Sequence, residues 1–325
     1  MASNTESGAT QPTGATGPVR DLFDFRGSPD PLVRVKKLGF LSFQSTDPER
    51  LAAYYVDALR FALTERSGEN IYLTTGEDHH CVVITPGEAR APTSIGFEIH
   101  GSLEDAASRL GDAGIKVENH TDHDPGIAAS LSIEGPEGTL VCLYENQARV
   151  RQANASGITP TRLSHVATHV GDIEEVQAFY EDVLGFSWSD TIEDLFVFMR
   201  CSPVHHSVNF TPNPTHDGRH EGLNHVAYEC RDLTHVRDVL DHLAKQGYSL
   251  SWGPGRHGPG HNIAAYHRDP DGNMVEISTE LDLIFDEENG CYEPRPWHED
   301  SPQRPKAWKR SLLAANSWGK EMTFS

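Results

Sequence analysis

The sequence predicts an α+β fold of two tandem halves, each a pair of βαβββ units curled into an open mixed β-barrel around a cavity. Three observations predict it. The chain repeats itself, its strands alternate apolar and polar residues, and its helices begin at Asp with apolar residues at helical spacing. At 325 residues it is long enough for two sizeable cores.

The repeat is read without a gap. FLSFQSTDPERLAAYYVDALRF (Phe40 to Phe61) lies over HVATHVGDIEEVQAFYEDVLGF (His165 to Phe186). Asp47 meets Asp172, Tyr55 meets Tyr180, and Leu59 meets Leu184. DHHCVVITP (Asp78 to Pro86) lies over VHHSVNFTP (Val204 to Pro212), and GPEGTLVCLYE (Gly135 to Glu145) over DPDGNMVEIST (Asp269 to Thr279). In each half a strand leads to a helix starting near Asp47 or Asp172, and two or three β-branched strands follow. A further strand, SIGFEIHG or NHVAYECRD, opens a second helix near residues 103–113 or 233–246, and a Gly-bounded turn and a last strand close the half.

Residues 1–32, rich in Ser, Thr, Gly and Pro, read as a disordered extension. The halves read as 33–147 and 158–282, joined by a small, polar linker near Gln147 to Thr159. Residues 283–325 read as a tail packed on the body, because Trp297, Trp308 and Trp318 are too aromatic for a disordered segment. The tail is expected over a pocket mouth or at a subunit contact.

A formal charge of −21, from 27 basic and 48 acidic residues, argues against nucleic acid and anionic membrane partners. Five cysteines without a CxxC pair fit free thiols in a reducing cytoplasm. No signal peptide or bilayer-spanning run is read.

Three strands of the second half carry a polar residue in apolar surroundings: His165, His225 and Glu276. Singly, each reads as a surface residue. The repeat supplies an internal control, because the matching first-half positions are Phe40, approximately Ser94, and Cys142, so all three groups are missing together. Two imidazoles and a carboxylate on one face form a 2-His-1-carboxylate set, which suits Fe(II) and O2 chemistry, with Mn(II) as a substitute. Zn(II) more often keeps a single open position.

At these residues the chain resembles the type I extradiol ring-cleavage dioxygenases of the vicinal oxygen chelate superfamily, those acting on catechol or 2,3-dihydroxybiphenyl. SHVATHVGDIEEVQAFYEDVLGF resembles the opening ligand strand and helix, and GLNHVAYE the second ligand strand. GPGRHGPGHNIAAYHRDPDGNMVEIS resembles the family signature. The likeness spans about Val35 to Glu280.

The resemblance implies two tandem vicinal-oxygen-chelate domains, of which only the C-terminal one holds the metal, through His165, His225 and Glu276. It implies catalytic roles for His205, as the pocket imidazole that assists O2 chemistry, for His257, and for Tyr266. It implies meta cleavage of a catechol-type aromatic with O2, giving a muconic semialdehyde-type product. His206 and Trp252 are expected at the substrate pocket. Trp252 stands where some relatives taking carboxylated catechols have Arg, so an uncharged aryl or alkyl catechol is expected. His169 is a weaker candidate ligand, and His216, His220 and His261 read as loop residues. A homo-oligomer is expected. The alternatives are a glyoxalase-like or hydroquinone-cleaving member, or a non-catalytic aromatic-binding resistance protein.

Overall fold

The computed structural model describes residues 25–88, 91–138, 140–151, 156–213, 222–295 and 303–319. Most of the expected N-terminal extension, together with His216, His220 and Trp297, lies outside them.

The first half runs β1 (Arg34–Ser45), α1 (Pro48–Asp57), β2 (Ala62–Ser67), β3 (Asn70–Thr74), β4 (Val82–Pro86), β5 (Ala91–His100), α2 (Leu103–Asp112), β6 (Glu118–Thr121), β7 (Ala129–Glu134) and β8 (Leu140–Tyr144). The second repeats it: β9 (Arg162–Val170), α3 (Ile173–Asp182), β10 (Ser187–Ile192), β11 (Phe196–Arg200), β12 (Val208–Pro212), β13 (Gly222–Glu229), α4 (Leu233–Lys245), β14 (Leu250–Arg256), β15 (Ile263–Arg268) and β16 (Met274–Thr279). Four βαβββ units result, as the repeat predicts. Within each unit the first strand pairs parallel with the last, and the two first strands of a half pair antiparallel. Each half is therefore one sheet, of order β2-β3-β4-β1-β5-β8-β7-β6 or β14-β15-β16-β13-β9-β12-β11-β10.

Local chemistry sets the helix starts. The Asp47 carboxylate accepts from Arg50 N, and that of Asp172 from Glu174 N and Glu175 N. Ser102 and Asp232 cap α2 and α4 in the same way. Each cap satisfies backbone donors that have no partner inside the helix and contributes about 1 kcal/mol. Leu51, Tyr54 and Tyr55 of α1, and Val176 and Tyr180 of α3, face one apolar core shared by the halves. Tyr55, Phe61 and Tyr228 meet edge-on within it, and the Tyr54 hydroxyl lies 2.6 Å from Nε2 of His267 in the other half.

Residues 25–32 depart from the expected disorder. Leu32 N and Val33 N donate to Asp182 O and Val183 O at the end of α3. Gly185, at φ +74°, is required beside them, since a Cβ there would lie 2.9 Å from Pro31 Cγ and 3.0 Å from Val33 O.

Beyond the second half come β17 (Ile284–Asp286), β18 (Cys291–Tyr292), β19 (Lys306–Trp308) and the single-turn α5 (Leu312–Ala315). Strand β19 adds to the β10 edge in parallel, so residues 306–308 of the tail pack on the body. Its Trp308 indole donates to the buried Asp190 carboxylate at 2.7 Å, while Trp318 is 55% exposed. No helix among the described residues is long and apolar enough to cross a membrane.

Candidate metal centre

Register brings the three predicted ligands together. Strands β16, β13 and β9 are neighbours, and His165, Ala227 and Glu276 lie directly opposite one another across them. His225 is two residues from Ala227 on the same strand, so the alternation of side chains puts all three groups on one face. Ala227 between them leaves the space open. Nε2 of His165 and Nε2 of His225 are 3.2 Å apart, and they lie 3.3 and 3.2 Å from Glu276 Oε2. All three residues are buried.

The donor chemistry fits a cation. Asn224 Oδ1 accepts from His225 Nδ1 at 2.7 Å, which leaves Nε2 as a lone pair. Burial lowers the His165 pKa against the opposing pull of Glu276, so this imidazole is neutral near pH 7. Burial pushes the Glu276 carboxyl up, and only positive charge at the His165 and His225 nitrogens pulls it well below the ordinary value, so the carboxylate calls for a cation beside it. Two lone pairs and a carboxylate facing each other at 3.2–3.3 Å repel unless a cation lies between them. The spacing suits donors about 2.1 Å from one ion. Asn262 Nδ2 donates to Glu276 Oε1 at 2.9 Å and Tyr266 OH to Oε2 at 2.6 Å, which orients the carboxylate.

The same register explains the first half. Phe40 opposes Gly96, Gly96 opposes Cys142, and Ser94 lies two residues from Gly96, so the three matched positions are strict structural equivalents. There Phe40 and Cys142 pack into a small apolar cluster with Tyr72, Val83, Ile127 and Tyr144. The Phe40 ring takes the central space: a Cβ on Gly96 would lie 2.2 Å from its Cε1.

The centre opens on a cavity of about 160 Å³, walled on its apolar side by Ile192, Leu195, Phe196, Phe198 and Ala314. An apolar space of roughly 150 Å³ holds a benzene ring. The tail closes one side through Arg310, Ser311, Ala314 and Ala315.

The predicted pocket residues divide. His206 lines this cavity, its ring centroid 4.3 Å from that of His165, and burial lowers its pKa well below 6.5. His205, expected as the pocket imidazole, is turned away. It packs on Tyr292, its Nε2 lies 3.1 Å from Asp190 Oδ2, and its Nδ1 is 2.9 Å from His206 Nδ1. The chain bends at His205 and Ser207 and leaves strand geometry, so alternation back from the cavity residue Asn209 points at the wrong histidine. Tyr266 and His257 both line the cavity, and His257 Nε2 is 2.9 Å from Tyr266 OH. Since Ala315 O can only accept, His257 Nδ1 donates to it at 2.7 Å. Burial lowers the His257 pKa and, with the Glu276 charge, raises that of Tyr266 well above 10.

Trp252 is not in the cavity wall; it stacks on His257 with ring centroids 5.2 Å apart and supports that ring from behind. His169 bonds Asn224 at 3.0 Å and is not among the clustered ligand atoms. His261 is buried against Asp282 at 2.7 Å rather than free in a loop. Asn209 and Asn262 also line the cavity, and no motif in the sequence marks them. Asn262, between the loop histidine and Tyr266, was within reach as a polar residue starting an apolar strand.

The fold and site define a class. Residues 162–277 match the Glyoxalase/Bleomycin resistance protein/Dioxygenase superfamily and form a domain of it. Within it, the relatives that the chain matches are extradiol dioxygenases, which are oxidoreductases. The chain is 29% identical to Metapyrocatechase 2 of Cupriavidus necator, over 47% of this chain and 49% of that one, so the match spans about half of that relative. It is 23% identical to a manganese-dependent 2,3-dihydroxybiphenyl 1,2-dioxygenase of Geobacillus genomosp. 3, over 84% and 93% of the two chains. It is 24% identical to an iron-dependent extradiol dioxygenase of Rhodococcus jostii, over 78% and 92%. Among solved structures, homoprotocatechuate 2,3-dioxygenase from Arthrobacter globiformis shares the fold with a TM-score of 0.77 at 22% identity, covering 91% of each chain. A Mn(II)-bound glyoxalase from Novosphingobium aromaticivorans superposes with a TM-score of 0.75 at 26% identity, covering 88% of this chain and 91% of that one.

Proposed function

We propose that this chain cleaves a catechol-type ring at the extradiol position with O2, at one Fe(II) or Mn(II) held by His165, His225 and Glu276. The observation that carries the reading is the convergence of three buried donors, 3.2–3.3 Å apart, on a one-ring cavity that also holds a neutral imidazole, His206. Iron-dependent and manganese-dependent relatives both support the choice of ion.

An ion held by His165, His225 and Glu276 would supply Lewis acidity toward a catechol and redox chemistry toward O2. The rest of the chemistry falls to the chain. The apolar wall orients the ring and keeps water out. His206 accepts a catechol proton and returns it to oxygen as the O–O bond breaks. Tyr266 OH carries one proton between two acceptors, Glu276 Oε2 and His257 Nε2, and so can pass a hydrogen bond from carboxylate to imidazole. Ring C–C cleavage with insertion of both oxygen atoms balances without an external reductant.

The wall supports an uncharged aryl or alkyl catechol, while the exposed Arg310 at the mouth is the cation among the lining residues. Five unpaired cysteines support a reducing cytoplasmic setting. Phe285, Leu312 and Trp318, each more than half exposed, support self-association, which light scattering on the purified chain measures.

The deciding experiment is metal analysis with O2 uptake and absorbance on anaerobically purified protein. Near one iron or manganese per chain, O2 consumption with catechol and a yellow product are expected. Metal without O2 consumption would favour the second reading, a glyoxalase-like isomerase, which the likeness to the Novosphingobium structure supports. A metal-free protein that only binds aromatics would overturn both. Faster turnover of protocatechuate-like acids than of neutral catechols would sink the substrate reading.

A further inference from the structure

The cavity beside the metal centre has one wall built into the sheet and one wall added to it. Ile192, Leu195, Phe196 and Phe198 stand on β10, β11 and the turn between them, and these two strands are paired antiparallel. Arg310, Ser311, Ala314 and Ala315 stand on the tail. Of these, Ala314 is buried and clusters with Ile192 and Phe198.

A short strand and a few bonds seat this second wall. Strand β19, of three residues, pairs with β10. The buried Asp190 carboxylate accepts from Lys306 N at 2.9 Å and from Trp308 Nε1 at 2.7 Å, and Glu193 N donates to Trp308 O at 3.0 Å. Further along, Gly258 N donates to Ala314 O at 2.9 Å. The seat is tight: a Cβ on Gly258 would lie 3.0 Å from Ala314 Cα and 3.2 Å from Trp308 Cζ3.

Protection of a sheet edge does not account for the added strand. The equivalent edge of the first half is β2, and among the described residues it carries no such strand. The tail covers only the edge that borders the metal centre's cavity. Size gives the cover a use. The cavity is about 160 Å³, and roughly 150 Å³ holds one benzene ring, so a second ring needs about that much again. The sheet wall can yield only by breaking its ladder bonds, whereas the tail can yield by losing the few bonds above.

We propose that the tail sets specificity: Trp308, through its bond to Asp190, and Ala314, through its contact with Ile192 and Phe198, restrict the site to catechols of a single ring. The word catechol rests on the dioxygenase reading; the one-ring limit rests on the cavity alone.

The test uses the metal-loaded full chain, with affinities measured by anaerobic calorimetry and kcat/KM measured in air. Wild type should bind catechol at least about tenfold more tightly than 2,3-dihydroxybiphenyl, and kcat/KM should follow the same order. Trp308→Phe keeps an aromatic ring but removes the donor to Asp190. Hydrogen exchange over residues 306–317 should quicken, and the preference should shrink by about tenfold because the two-ring ligand gains affinity. Ala314→Gly leaves the Asp190 bond intact and should shift the preference the same way by a smaller factor; it decides the matter if Trp308→Phe fails to fold. A variant that is merely destabilised would bind both ligands less well at an unchanged ratio, and that result overturns the proposal. So does a wild type that binds the two-ring ligand as tightly as catechol. Selective binding without ring cleavage would remove the dioxygenase reading and leave the size limit standing.

Discussion

Replacing Glu276 by Gln removes one charge and changes almost no volume, and the surrounding bonds dictate how the amide must sit. Asn262 Nδ2 donates to Oε1 at 2.9 Å, so the Gln carbonyl must keep that position. Its NH2 then falls where Oε2 was, 3.2–3.3 Å from the imidazole Nε2 atoms, and donates to lone pairs that would otherwise ligate a cation. The metal-free variant is internally satisfied once Tyr266 OH turns its proton to His257 Nε2, whereas the metal-free wild type holds a buried carboxylate against two lone pairs. Outer partners of a metal site already change affinity by about 10–100-fold, so loss of a ligating carboxylate should cost at least roughly 100-fold, or about 2.8 kcal/mol. Metal content after gel filtration should fall close to zero, with O2 uptake abolished. At pH 8 in chelator, the variant should melt at or above the metal-free wild type. Retention of near one ion per chain, or a metal-free variant much less stable than metal-free wild type, would refute this account of the site.

Tyr266→Phe deprives both Glu276 Oε2 and His257 Nε2 of their shared donor; kcat should drop by about 100-fold with little change in KM, and a loss in KM alone would count against a proton-handling role. Phe40→Ala leaves a hole in the first-half cluster and should cost about 3–5 kcal/mol in urea unfolding, with kcat of the folded fraction unchanged; a loss of kcat would show that the first half is more than scaffold. Stability should fall as the pH drops from 6.5 to 4. Burial depresses His80 to about 3 and His267 to about 4, so the unfolded chain binds these protons first, and each group costs up to about 1.4 kcal/mol per pH unit. Asp269, which burial raises to about 6, binds its proton first in the folded state and offsets one of them. The net slope should be about 1–3 kcal/mol per unit, measured by urea midpoints in chelator; a flat or rising profile would contradict it.

Much of this molecule was legible in one chain because it is written twice. The repeat located the four βαβββ units, and the joint loss of His165, His225 and Glu276 at Phe40, Ser94 and Cys142 singled out the candidate ligands. Both inferences depend on short-range rules, strand alternation and helix capping, that act within a few residues. The order of residues 25–32 is not legible for the opposite reason: their partners at the end of α3 lie about 150 residues away, and their composition alone gives no sign of them.

By itself, then, the sequence determined the architecture and which two imidazoles and carboxylate converge on one face, since register on regular strands carries side chains to a predictable face. Only the tertiary structure decided which histidine of the 205–206 pair enters the cavity. The backbone bends there, so no periodicity applies, and the outcome is set by Asp190, Tyr292 and a tail strand brought in from elsewhere in the chain. It likewise decided that Trp252 stacks on His257 outside the cavity lining, and that the tail carbonyl of Ala315 fixes that imidazole. Those are contacts between surfaces, and a surface exists only once the chain has folded.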